Sequence, residues 1–159
     1  MKKLFCVFLI FLFTTGCKSK TENIKPIKNN ISFDCSISFY NETYECKVTN
    51  KKATNFNLKF TFPESINGLE YTIKNSKISS TYKGIEYKTS IENYPPQNLA
   101  NFIYSVLYSK NDEVFEENNN FYIEDENYKL YVGLTGLPIK ITEKSNTINI
   151  TIKNASLLK

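Results

Sequence analysis

From Ile31 onward the apolar residues return at every second position. Ile31, Phe33, Cys35, Ile37 and Phe39 share one phase, with Ser32, Asp34, Ser36 and Ser38 in the other. This alternation is that of a strand buried on one face. A turn at Tyr40-Asn41 leads into Thr43–Asn50, where Tyr44, Cys46 and Val48 are in phase. Phe56, Leu58, Phe60 and Phe62 follow with Asn57, Lys59 and Thr61 between them, and Pro63 ends that run. Leu69–Lys74, Lys77–Lys83 and Ile85–Ser90 predict three more short strands, separated by Asn75-Ser76 and by Gly84. The two-residue gap between the first pair is what a tight hairpin requires.

Beyond Pro95-Pro96 the period changes from 2 to 3.6. Leu99, Phe102, Ile103, Val106 and Leu107 stand at i, i+3, i+4, i+7 and i+8, which predicts an amphipathic helix over 98–109. Asn111–Glu126 mixes carboxylates with Phe115, Phe121, Tyr122 and Ile123 and reads as a solvated hairpin. Period two then resumes in Tyr128, Leu130, Val132 and Leu134, in Ile139 and Ile141, and in Ile148, Ile150 and Ile152. The fold predicted is mainly β: a curved antiparallel sheet or half-barrel of about ten strands in meander order, with one covering helix. One domain spans 31–159.

The first 30 residues break from this pattern. Lys2 and Lys3 precede an uncharged run, Leu4–Phe13, and then Thr14-Thr15-Gly16-Cys17. Ten helical residues rise about 15 Å, half of a hydrocarbon core of roughly 30 Å, so a secretory signal over 1–16 is the better reading than a membrane span. Lys18–Asn30, polar and holding one Pro, reads with Cys17 as a flexible tether that reaches at most about 45 Å. Thr14-Thr15-Gly16-Cys17 resembles the lipobox of bacterial lipoproteins. The resemblance implies lipid attachment at Cys17 and a position on the outer side of the bacterial cell membrane. Two or more acyl chains anchor a protein stably where one does so only marginally.

Composition narrows the function. Lys2 and Lys3 leave with a cleaved signal, so a net charge of +4 falls to +2, too little to indicate a nucleic-acid binder. No His is present, which excludes Ser/His and Cys/His nucleophilic triads. The acidic residues do not pair on an apolar wall, and no cofactor or metal motif occurs, so a non-enzymatic role is expected. Centring the first turn between residues 40 and 41 sets Cys35 opposite Cys46, within reach of a disulfide. In an exported chain such a pair favours a bridge, and the other reading is a redox or metal pair.

The inner faces carry many aromatic residues for one helix to cover. A hollow lined by Phe33, Phe56, Phe60, Tyr71, Phe102 and Val106 would suit a lipid or other apolar ligand. The competing reading is that these side chains fill the core and the protein acts through its exposed face, in adhesion or envelope structure. An anchor, a tether, six meandering strands, a helix and further strands resemble the lipoprotein-localisation-factor (LolA/LolB-like) superfamily. That resemblance implies a half-barrel with helices as a lid and acyl chains held in the hollow.

Overall fold

The computed structural model describes residues 19–51, 55–95 and 98–158. The expected signal segment, 1–16, and Cys17 lie outside the described residues. Among the described residues twelve strands form one antiparallel sheet. In chain order they are β1 (Ser19–Thr21), β2 (Ile31–Phe39), β3 (Glu42–Asn50), β4 (Asn55–Phe62), β5 (Glu70–Lys74), β6 (Lys77–Tyr82), β7 (Ile85–Ser90), β8 (Val114–Glu117), β9 (Asn120–Glu124), β10 (Tyr128–Val132), β11 (Pro138–Glu143) and β12 (Ile148–Leu157). Their order across the sheet is β1-β8-β9-β10-β11-β12-β2-β3-β4-β5-β6-β7. The sheet is thus two meanders, β2–β7 and β8–β12, joined where β12 pairs with β2, and it is not closed.

Turn chemistry sets the register of the hairpins. Tyr40-Asn41, Asn75-Ser76, Lys83-Gly84 and Asn118-Asn119 all hold positive φ at both positions, the type I′ geometry that matches strand twist. Asn and Gly tolerate that region best, which is why they recur here. In β2 and β3 the predicted phase is kept: Ile31, Phe33, Cys35, Ile37 and Val48 are all buried. One expected pair divides. Ile141 is buried and Ile139 is exposed, because the register slips between Tyr131 and Val132 and the bulge turns Ile139 outward.

Helix α1 (Leu99–Tyr108) joins the two meanders. The Asn98 carboxamide caps it, accepting from the backbone N–H of Ala100 at 2.9 Å and of Asn101 at 3.4 Å, a preferred N-cap arrangement. Leu99, Ala100, Phe102, Ile103, Val106 and Leu107 are buried beneath it and join the core formed by the inward side chains of the sheet.

The polar stretch expected to be a tether is instead part of the domain from Ser19 onward. β1 pairs with β8, and Ile24 is buried in the core. The Ile27 N–H donates to the Gly136 carbonyl at 2.8 Å. Gly136 holds φ +81°, and a Cβ there would stand 2.1 Å from the Lys25 carbonyl oxygen, so only glycine lets the two segments meet. Lys28, 7% exposed, ends against the C-terminus of α1. Its ammonium donates to the carbonyls of Ser109 (2.6 Å) and Asn111 (3.0 Å) and pairs with Asp112 at 2.7 Å. A cation at this end satisfies carbonyls left open by the helix and complements its dipole. Single polar contacts of this kind have no period, so the pattern read as a tether.

Cys35 and Cys46 face each other in register, as expected. The expected bridge is not formed: both are free thiols in the buried core. Hydrogen bonding with Cys35, and then burial, push the Cys46 thiol well above its ordinary range, which keeps it protonated and unreactive.

Two outcomes follow. Lys28→Met lowers unfolding free energy by about 2–3 kcal/mol, the scale of hydrogen bonds to a charged group, read from urea denaturation; unchanged stability would show the clamp to be idle. In the native protein both core thiols resist N-ethylmaleimide at pH 7, and both react in denaturant without reductant. Absence of labelling in denaturant would mean that they are bridged.

Candidate functional site

Strand register builds the site from a row of inward side chains. Tyr128 on β10 is opposite Glu143 on β11. Thr142 opposite Asn149 sets Glu143 beside Ile148 on β12, and Ile148 is opposite Phe39 on β2. The next row inward is wholly aliphatic: Leu130, Ile141, Ile150 and Ile37, all buried. The outer row is therefore polar over β10–β11 and apolar over β12–β2.

Over this row lies a cleft of about 820 Å³, within the roughly 300–1,000 Å³ of small-molecule sites. Its roof is one side of α1, from Asn101 and Phe102 through Ser105 to Ser109 at the C-cap. Phe39, Tyr40 and Ile148 form the apolar part of the floor, while Tyr128, Asp125, Asn127, Glu143, Ser145 and Thr147 form the polar part. Ser145 donates to the Glu143 carboxylate at 2.5 Å, and Thr147 donates to the same oxygen.

The Tyr128 side chain is 6% exposed, and its hydroxyl meets no hydrogen-bond partner. Burial raises the pKa of this hydroxyl, and Asp125 and Asp112 act in the same direction while Ser109 opposes them. Ser109 and Asp125 are thus near the hydroxyl without meeting it in bonding geometry, and both line the cleft. A buried polar group without a partner costs about 1–3 kcal/mol.

The opposite side of α1 is filled. Tyr44, Phe60, Tyr71 and Tyr94 form a chain of edge-to-face rings at 5.9, 6.2 and 6.1 Å. Phe56 meets Tyr104 at 5.8 Å, and Tyr104 stacks on Tyr108 at 4.0 Å. Burial first, and then hydrogen bonding with Tyr71, push the Tyr94 hydroxyl up to about 12. Beyond this row a smaller, open hollow of about 480 Å³ lies against Tyr87, Tyr94 and Pro95.

Of the six side chains expected to line a hollow, the structure brings one to the cleft, Phe102. Phe33, Phe56, Phe60 and Val106 are buried in the core, and Tyr71 is half-buried in the aromatic row. Sequence reasoning passed over Tyr128 and Glu143. One signal was there to read: Glu143 stands in phase with Ile141, an acidic residue at an inward position.

No family model and no curated protein matches the sequence. Solved structures do resemble the fold. An uncharacterized conserved protein from Thermus thermophilus is similar at 8% identity, with 87% of this chain and 81% of that one covered and a TM-score of 0.52. A LolA superfamily protein from Nitrosomonas europaea aligns at 10% identity over 88% and 89%, with a TM-score of 0.47. A Vibrio parahaemolyticus domain described as outer-membrane lipoprotein-sorting aligns at 9% over 82% and 86%, with a TM-score of 0.48.

Because the Tyr128 hydroxyl is unpaired, Tyr128→Phe leaves stability unchanged or raises it by up to about 1 kcal/mol. Thermal unfolding of the ligand-free protein measures this. A loss of more than about 1 kcal/mol would show that the hydroxyl has a partner.

Proposed function

We propose that this protein is a lipid-anchored, non-catalytic binding module on the outer side of a bacterial membrane. It takes a lipid or other apolar ligand in the cleft between α1 and the β10–β12 floor. The observation that carries the reading is the cleft, about 820 Å³, between α1 and the inner face of the sheet. A core filled throughout would have favoured action through the exposed face. Phe39, Phe102 and Ile148 supply an apolar wall for a chain, and the rest of the lining is largely polar, which can fix the orientation of a ligand's head. The element order, which resembles that of lipoprotein-localisation factors, points the same way.

The anchor rests on the lipobox-like residues at Cys17. Among the described residues no helix is long and apolar enough to cross a membrane. Ser19, two residues after Cys17, is already paired in β1. An anchor at Cys17 therefore holds the sheet edge at the headgroups and not on a long tether. Ligand exchange with the bilayer would then need little travel.

Cells fed an alkynyl palmitate analogue label the wild-type protein and leave Cys17→Ser unlabelled; equal labelling of the two would refute the anchor. Every described element lies at or after Ser19, so protein beginning at Lys18 keeps the whole described fold. Native mass spectrometry of that protein is expected to show an adduct that organic solvent removes. Bare protein alone, in preparations from several hosts, would count against the ligand.

A further inference from the structure

The polar half of the cleft carries charge of one sign. Asp125 and Glu143 are in its lining, and no Lys is. Two cations next to residues of the lining have partners elsewhere. Lys28, which reaches Ser109, is paired with Asp112 at 2.7 Å, and Lys144 pairs with Glu124 at 3.2 Å. Ser109 is also the C-cap of α1, and the Lys28 ammonium on its carbonyl already offsets the negative end of the helix dipole there.

Glu143 occupies an inward position between Tyr128 and Ile148, where period two elsewhere places aliphatic residues. Its hydrogen bonds from Ser145 and Thr147 hold the carboxylate at that position. Tyr128 is opposite Glu143 in register, and its buried hydroxyl, without a partner beside Ser109 and Asp125, can accept an N–H. Acceptors thus line the floor where it turns from apolar to polar, and a donor-only, positively charged group suits them. An anionic head would meet two acidic side chains in the lining, and the Lys28 ammonium behind Ser109 is already paired with Asp112, in a recess where such repulsion is poorly screened.

We infer that the ligand of this cleft is a cationic amphiphile, an apolar chain ending in an ammonium group, with the chain along Phe39, Phe102 and Ile148 and the ammonium at Glu143, Asp125 and Tyr128. This rests on the cleft being a site for apolar ligands, and the test separates the two claims.

Protein beginning at Lys18 is titrated by calorimetry at pH 7 with decylamine, decanoate and decanol, each below its micelle concentration. Decylamine is expected to bind at least 10-fold more tightly than decanoate, with decanol between them. The Asp125→Asn, Glu143→Gln double variant brings amine and carboxylate within about 3-fold of one another, and its circular dichroism and thermal unfolding report that the fold is intact. Tyr128→Phe weakens the amine alone. Equal binding of all three compounds, or tighter binding of decanoate, would overturn the headgroup preference and leave the apolar cleft standing. No binding of any of the three would overturn the cleft reading itself.

Discussion

The apolar face of this sheet is wider than the helix that covers it, and the rest of the structure answers that mismatch. Strands lie about 4.8 Å apart, so twelve of them span roughly 50 Å before curvature. A helix of ten residues is about 15 Å long. Curvature narrows the gap without removing it. On the β3–β6 side, aromatic side chains close it, ring edge against ring face from Tyr44 to Tyr94. On the β10–β12 side no such row exists, and a cleft remains. The helix is therefore less a lid than a divider, with packed core to one side and a recess to the other.

A helix this short depends on its ends. Asn98 supplies the N-cap and Lys28 the C-terminal counter-charge, from a segment 81 residues away. The same segment places β1 against β8 and passes Gly136 at a distance that no side chain would allow. Burying a lysine is costly unless its charge and its donors are all met. Here two carbonyls and a carboxylate meet them. The segment that an anchor at Cys17 would pull on is thus the one that holds α1 over the sheet.

The cleft departs from the rules that govern the rest of the core. Tyr128 is buried with its hydroxyl unpaired, and Glu143 takes an inward position amid aliphatic neighbours. Local violations of this kind cost stability, and folded proteins retain them mainly where a site requires them. They are also what separates this recess from a mere packing defect, whose lining would be apolar throughout.

Much of the fold was legible in the chain because period two and period 3.6 are properties of neighbouring residues. The β2–β3 register, the facing of Cys35 and Cys46, the span of α1 and the class of architecture all follow from patterns a few residues long, reinforced by Asn and Gly at turns. What tertiary structure alone decided involves partners distant in the chain. Lys28 reaching the end of α1, β1 pairing with β8 and the bulge that turns Ile139 outward leave no periodic trace. The site shares that fate. Phe33, Phe56 and Phe60 are inward, as their phase requires, but an inward side chain borders core or cavity according to what lies over it. Phe33, Phe56 and Phe60 lie in the packed core, whereas Tyr128 and Glu143 border the opening; where α1 lies decides between the two, and no spacing of residues within a strand records it.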